Sequence, residues 1–148
     1  MNDALAFSVH AVQWPVRAAE LRAIRRAVFV VEQQVPEAEE WDDFDAVSRH
    51  VLALADGVPP VPIGTGRLLP DGHIGRMAVL KSWRGRGVGR ALLAALLVLA
   101  RQLQFEEVVL HAQTHAIPFY EKQGFTAHGP EFMEAGIAHR VMRLTLKD

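Results

Sequence analysis

The 148-residue sequence predicts an α/β or α+β fold in which one mixed central sheet of about six to seven strands is flanked by helices. Short apolar runs typical of strands alternate with longer segments whose apolar residues recur at helical spacing. Half of the residues are apolar and 22% are charged, which is an ordinary globular composition. Because a chain of this length usually forms one domain, we expect a single domain over residues 1–148.

The first half of the chain predicts a strand, a helix and three further strands. Residues 5–12 have the apolar content of a strand. From residue 16 the pattern becomes helical, and we expect this helix to end before Pro36. The three strands that follow are separated by Asp-Gly turn signals, which favour antiparallel hairpins. These strands are residues 48–55, 61–69 and 73–80.

The second half of the chain alternates helix and strand. Residues 88–103 predict an apolar helix whose leucines occupy more than one stripe, so we expect it to be buried on two sides. A short strand over residues 108–111 precedes a helix over residues 114–123. Phe125 and residues 137–146 indicate two closing strands.

Composition and charge argue against several classes of function. Sixteen Lys and Arg against 17 Asp and Glu give a net charge of −1. A protein that binds nucleic acid through its phosphates usually has an excess of basic residues, which this chain lacks. The absence of cysteine excludes disulfides, thiolate metal sites and a cysteine nucleophile. Residues 1–5 lack the basic start of a signal peptide, and no apolar run is long enough to span a bilayer. We therefore expect a cytoplasmic protein with neither a membrane nor a nucleic acid as partner.

A glycine-rich segment between the strand at 73–80 and the apolar helix indicates an anion site. Gly85 and Gly87 precede a helix N-terminus and Gly89 lies in its first turn, where backbone N–H groups lack intrahelical partners and favour negative charge. The segment has neither the Gly-Lys-Ser/Thr of a P-loop nor a complete G-x-G-x-x-G. A glycine-rich turn with solvated arginines is the alternative to a phosphate or pyrophosphate site. The flanking arginines are Arg84, Arg86 and Arg90.

Several segments resemble the GNAT-type N-acetyltransferases. Residues 76–89, with the spacing R-x-x-G-x-G, resemble motif A of that family, and residues 116–125 resemble its motif B. The two motifs occur in the family's order and at its separation. Residues 63–68 extend the resemblance over nearly the whole chain, and residues 28–33 and 134–139 are similar to the small ElaA-like branch.

The resemblance implies a GNAT fold, with two splayed parallel strands at its centre that bind acetyl-CoA. The pantetheine arm would pair with the backbone of Met77, Ala78 and Val79. A β-bulge near Met77 would aim an N–H at the thioester carbonyl. Gln113 stands where many relatives have Asn and is expected to be a weaker contact to pantetheine. The residues implied to bind the pyrophosphate and adenosine phosphate are Arg84, Gly85, Arg86, Gly87, Val88, Gly89 and Arg90.

The resemblance also implies direct transfer of an acetyl group from acetyl-CoA to a primary amine within a ternary complex. Tyr120, the only tyrosine, takes the position of the family's general acid, which protonates the departing CoA thiolate. The amine is a small molecule or a peptide. A non-catalytic acyl-CoA-binding or sensor module is the first alternative, and a nucleotide- or nucleic-acid-binding protein that uses residues 76–90 is the second. A homodimer through the terminal strands is a further hypothesis.

The acceptor side of the site has several candidate residues. Glu32, Asp42 and Asp45 are the expected substrate-binding residues, because in the family the first helix and the segment after it shape the acceptor site. Residues 37–45, here called the acidic stretch, contain six acids and no base, which predicts a solvated loop or an attraction for a cationic amine. The seven histidines show no set of three ligands, so no metal is expected. Candidates for the general base, besides a water chain, are Glu32, Asp42, Asp43, Asp45 and His111.

Overall fold

The computed structural model describes residues 6–146 and contains seven strands and four α-helices within that range. Residues 1–5, which include the predicted start of the first strand and the segment considered as a signal peptide, lie outside the described residues. The strands are β1 (Phe7–Val12), β2 (Arg49–Ala55), β3 (Val61–Leu68), β4 (His73–Val79), β5 (Glu107–Gln113), β6 (Thr126–Glu134) and β7 (Ile137–Thr145). The helices are α1 (Trp14–Arg25), α2 (Glu37–Glu40), α3 (Val88–Gln102) and α4 (Ile117–Lys122).

All seven strands form one mixed sheet in the order β1-β2-β3-β4-β5-β7-β6. Strands β4 and β5 are parallel but pair only at His73 with Val109 and at Ile74 with Leu110. Beyond these pairs β4 remains bonded to β3, and β5 remains bonded to β7 along its whole length. The two central strands therefore separate into a gap. This arrangement confirms the predicted fold class and the splayed parallel pair.

A β-bulge interrupts β4 beside this gap. Arg76 and Met77 of β4 lie opposite the single residue Gly66 of β3. Arg76 has a φ of 49°, in the left-handed region that few non-glycine residues adopt. A Cβ on Gly66 would lie 2.8 Å from a methyl carbon of Leu96, so a larger residue there would require the Leu96 side chain to move. The bulge expected near Met77 is present.

The sheet is covered by α3 on one face and by α1 on the other. Leu92, Leu93 and Leu96 of α3 are almost completely buried, but Ala94 and Val98 are exposed. The helix therefore buries one face against the sheet, and the expectation that it is buried on two sides is wrong. Leu21 and Ile24 of α1 pack on the opposite face, where α1 contacts β2, β3 and β4. No helix within residues 6–146 is long and apolar enough to cross a membrane.

The first helix begins earlier than predicted and ends before Pro36 as expected, but its last part is not α-helical. It begins at Trp14, earlier than expected, because Pro15 is well tolerated in a first helical turn. After α1 the chain forms a π-helical segment, Arg26–Glu32, in which the N–H of Gln33 donates to the carbonyl of Val28 at 3.0 Å. Such wide turns are frequent at functional sites.

Several other elements differ from their predicted bounds. The strand indicated by Phe125 is β6, which begins one residue later at Thr126, and α2 lies in the stretch expected to be a loop. β5 continues beyond residue 111 to Gln113, so it lengthens the wall of the gap. The helix predicted over residues 114–123 begins as a 3₁₀ turn, Thr114–Ala116, before α4. Tight turns of this kind are common at helix N-termini.

Candidate active site at the splayed strands

The gap between β4 and β5 opens into a cavity of about 920 Å³, a volume within the usual range for ligand sites. It is bounded by the π-helical segment, β4, the end of β5 and α4. The candidate residues that line it are Glu32, Met77, Ala78, Val79, Arg84, His111, Gln113 and Tyr120. Those outside its lining are Asp42, Asp43, Asp45, Gly85, Arg86, Gly87, Val88, Gly89 and Arg90.

Tyr120 projects from α4 toward the bulge of β4. Its hydroxyl donates to Sδ of Met77 at 3.7 Å, and its ring packs edge-on against Phe119 and Phe125. Burial raises the pKa of Tyr120 to about 12. The phenol therefore stays protonated at neutral pH, which is the state that a general acid requires.

The glycine-rich loop follows the open end of the gap and leads into α3. Gly85 and Gly87 have φ values of 76° and 87°, and a Cβ on either would meet nothing within 4 Å. The first backbone hydrogen bond of α3 runs from the N–H of Ala91 to the carbonyl of Gly87 at 3.1 Å. The N–H groups of residues 88–90 therefore have no intrahelical acceptor, and the helix end can hold an anion.

Arg84 is held at the end of β4 by two partners. Its Nε donates to the carbonyl of Val79 at 2.9 Å, and its two terminal nitrogens contact the two carboxylate oxygens of Glu32 at 2.6 and 2.7 Å. The hydrogen bonds from Arg84 lower the pKa of Glu32, which makes this carboxylate a weak proton acceptor. The guanidinium of Arg86 lies 4.8 Å from the centre of the Trp83 ring.

Gln113 stands on the other wall of the gap, at the end of β5. Its Nε2 donates to Oε1 of Gln33 at 3.0 Å, and the reverse contact measures 3.4 Å. This reciprocal amide pair connects the end of the π-helical segment to β5. Gln33 lines the cavity but was not among the candidate site residues, although it ends the segment 28–33 that is similar to the ElaA-like branch.

Comparison with known proteins identifies the family of this chain. Residues 18–146 match the family model described as the acetyltransferase (GNAT) domain. This chain belongs to the GNAT acetyltransferase family. Membership implies the use of an acyl-CoA, in agreement with the splayed strands and the glycine-rich loop.

Several relatives of this GNAT protein cover 80–95% of its length. The uncharacterized N-acetyltransferase YjcF of Bacillus subtilis is 40% identical over 121 residues, which are 80% of this chain and 86% of YjcF. The crystal structure of an acyl-CoA N-acyltransferase from Pseudomonas aeruginosa has a TM-score of 0.82 and 30% identity, with 95% of this chain and all of that chain covered. The crystal structure of Escherichia coli ElaA has a TM-score of 0.82 and 27% identity, with 94% and 99% covered.

A histidine and a carboxylate lie at the narrow end of the cavity in this GNAT protein. Nδ1 of His111 is 2.8 Å from Oε1 of Glu134. The His111 ring packs edge-on against His73, with 5.9 Å between ring centres, and against Phe132, at 5.1 Å. Of these residues only His111 was a sequence candidate, because its neighbours come from separate strands.

The acidic stretch of this GNAT protein is largely bound by arginines. Arg25, which is 1% exposed, contacts Glu40 at 2.8 Å and Asp45 at 2.7 Å. Arg67 contacts Asp42 and Asp45, each at 2.8 Å. Because Glu40 and Asp45 are buried and ion-paired, the interpretation of the whole stretch as a solvated loop is wrong. Binding of the acceptor by Asp42 and Asp45 stays a prediction, now for carboxylates that already have cationic partners.

Arg76 belongs to the same ion-pair cluster rather than to the glycine-rich loop. Its Nε lies 3.2 Å from Glu40 and its terminal nitrogen 3.4 Å from Asp42. The bulge turns this side chain toward α2, away from α3. The basic segment 76–90 therefore divides into one arginine at the acidic cluster and others near the loop.

Proposed function

We propose that this GNAT protein is an acetyl-CoA-dependent N-acetyltransferase that transfers the acetyl group directly to a primary amine in a ternary complex. The observation that carries the proposal is the position of Tyr120. Its hydroxyl contacts the side chain of Met77, beside the bulge, inside the cavity formed by the splayed strands. A protonated phenol at this place can give its proton to the sulfur of the departing CoA.

The residues of the gap fit acetyl-CoA, which supplies the activated acetyl group when bound. The backbone of Met77, Ala78 and Val79 has no strand partner on the β5 side, so a pantetheine arm can add there as an extra strand would. The open glycine-rich loop and the free N–H groups of α3 suit the pyrophosphate. Gln113 can turn its amide toward pantetheine when its pair with Gln33 opens.

The chain's own groups then divide the chemistry. The N–H of Met77 at the bulge can donate to the thioester oxygen as negative charge develops on it. The acceptor nitrogen forms the new C–N bond, the C–S bond breaks, and Tyr120 gives its proton to the sulfur. The N–H of Met77 is positioned by the sheet, and the hydroxyl of Tyr120 is positioned by α4.

Release of free CoA, measured against a panel of amines, tests the proposal. The panel contains a polyamine, an amino sugar, an aminoglycoside, a free amino acid and a short peptide. With the best acceptor, Tyr120→Phe is expected to lower kcat by about 10²–10⁴-fold and to leave the Kd of acetyl-CoA unchanged, because only the acidic proton is lost.

Two outcomes would count against the proposal. Full turnover by Tyr120→Phe would remove the assignment of the general acid. Tight binding of acetyl-CoA without CoA release for any amine would favour a non-catalytic acyl-CoA-binding module instead.

A further inference from the structure

The narrow end of the cavity, away from the glycine-rich loop, contains His111 and Glu134. Leu110 is the last residue of β5 that pairs with β4, so His111 is the first residue of β5 to border the gap. Glu134 ends β6, and its Oε1 lies 2.8 Å from Nδ1 of His111. Both side chains line the same cavity as Tyr120.

The contact with Glu134 orients the imidazole of His111. An ionised carboxylate can only accept hydrogen bonds, so Nδ1 carries the hydrogen and donates it to Glu134. In the neutral ring the lone pair then resides on Nε2. Ring contacts with His73 and Phe132 hold the imidazole from two further sides. The side chain of His111 remains 38% exposed, so a ligand in the cavity can reach it.

The other histidines near His111 do not offer a ligand a ring nitrogen that is both oriented and accessible. His73 of β4 lies 3.0 Å from Asp71 through its Nδ1, but without the alignment of a hydrogen bond, so its tautomer is not fixed. His139 of β7 is 7% exposed and its Nδ1 contacts the carbonyl of Ile137 at 2.7 Å. His111 alone among these three histidines has both an oriented ring and an open nitrogen.

We propose that Nε2 of His111 takes a proton from the ammonium group of the acceptor and that Glu134 is the residue that positions it. This proposal rests on the function proposed above. A primary ammonium loses its proton only near a pKa of about 10, so at neutral pH almost all of a free amine is unreactive. A base at the narrow end of the gap can deprotonate the ammonium group beside the thioester carbon that the nitrogen attacks.

The protons and bonds of this step balance. Nε2 of His111 removes one proton, and the freed lone pair forms the C–N bond to the thioester carbon as the C–S bond breaks. Tyr120 gives a proton to the sulfur, and the second proton lost by the nitrogen replaces it on the phenol. The proton on His111 returns to solvent, so the reaction releases an amide, free CoA and one proton.

The pH dependence of kcat/KM for the best amine separates this mechanism from one without a base. The kcat/KM of the wild type is expected not to follow the deprotonation of the amine, because the enzyme uses the abundant ammonium form. The variant His111→Gln can use only the small fraction of acceptor that is already deprotonated. Its kcat/KM is therefore expected to rise about tenfold per pH unit toward the amine's own pKa. At neutral pH its kcat is expected to be about 10²–10⁴-fold below that of the wild type.

Control variants separate loss of the base from loss of structure. His10→Gln changes a histidine on the edge strand β1, far from the gap in the sheet order, and is expected to keep the wild-type profile. Both variants are expected to bind acetyl-CoA as the wild type does, measured by calorimetry. Partial recovery of His111→Gln by added imidazole would show that the missing group is a base.

The role of Glu134 is tested by a readout that a purely structural residue would not change. Nitrogen NMR of the His111 ring is expected to show hydrogen on Nδ1 in the wild type and a mixture of tautomers in Glu134→Leu. Glu134→Gln keeps a carbonyl oxygen that accepts the same hydrogen bond. It is therefore expected to retain the Nδ1–H tautomer and more activity than Glu134→Leu.

Each contrary result has a distinct meaning. A common pH profile for His111→Gln and the wild type, or hydrogen on Nε2 in the wild-type spectrum, would overturn the role of His111 while amine acetylation still stands. Failure of the wild type to acetylate any amine in the panel would overturn the proposed function, and the base would fall with it.

Discussion

Replacement of Arg25 by methionine tests whether buried ion pairs hold the acidic stretch. The guanidinium of Arg25 contacts Glu40 at 2.8 Å and Asp45 at 2.7 Å, and it also donates to the backbone carbonyl of Glu40 at 3.0 Å. It lies 5.1 Å from the ring centre of Trp41 and 5.7 Å from that of Trp14. Methionine keeps an unbranched side chain at this position but removes every one of these contacts.

The expected loss of stability follows from the charges that remain. Removing one partner of a buried ion pair costs about 3–5 kcal/mol, because the other charge stays desolvated. Arg67 still contacts Asp45 at 2.8 Å, and Arg76 still lies 3.2 Å from Glu40. We therefore expect the lower end, about 3 kcal/mol. For a chain of this length that corresponds to a fall in Tm of about 6–12 °C.

Urea unfolding followed by circular dichroism measures this loss, with Arg22→Met as the matched control. Arg22 is an exposed residue one turn earlier on α1, and its guanidinium lies 5.2 and 5.8 Å from the same Trp14 and Trp41 rings. Its replacement is expected to cost less than about 1 kcal/mol. The reasoning is refuted if Arg25→Met and Arg22→Met lower the free energy of unfolding equally.

Two further outcomes are expected. Gly87→Ala is expected to lower the free energy of unfolding by about 1–2 kcal/mol, because alanine is strained at a φ of 87°, and to weaken acetyl-CoA binding in calorimetry. The control Gly129→Ala, with a φ of 75° and equally open space, is expected to lose stability but not binding. Equal Kd values for both variants would contradict an anion site at α3. Burial lowers the pKa of His50 in the folded state. Below a pH of about 6.5 the unfolded state therefore binds more protons than the folded state. The free energy of unfolding is expected to fall as the pH falls from about 7 to about 5. Urea titrations should show a flatter pH dependence in His50→Gln, and an identical dependence would disprove this linkage.

The glycine-rich loop and the helix that carries Tyr120 were predictable because their signals are local. Gly85 and Gly87 immediately precede an apolar helix, so their role at a helix N-terminus follows from neighbouring residues. Tyr120 stands within a short motif that resembles a known family. The splay of β4 from β5 came from that resemblance, and strand pairing in the structure confirms it.

The ion pairs of the acidic stretch and the contact between His111 and Glu134 were not predictable, because they join distant parts of the chain. Arg25 is 15 residues from Glu40 and 20 from Asp45, and no periodicity relates such positions. His111 and Glu134 are 23 residues apart and meet only because β6 and β5 both pair with β7. The sequence could therefore name His111 as one of several bases but could not rank it.

The sequence by itself determined the order of the strands and of the helices other than α2, the glycine-rich loop and the position of the one tyrosine, because local periodicity and short motifs specify these features. Only the tertiary structure decided which charges are already paired and which remain open to a ligand. An acidic stretch has the same composition whether it faces solvent or buried arginines. Packing of α1 against the sheet placed Arg25 and Arg67 beside that stretch, and the pairing of β5 with β7 left His111 facing the cavity.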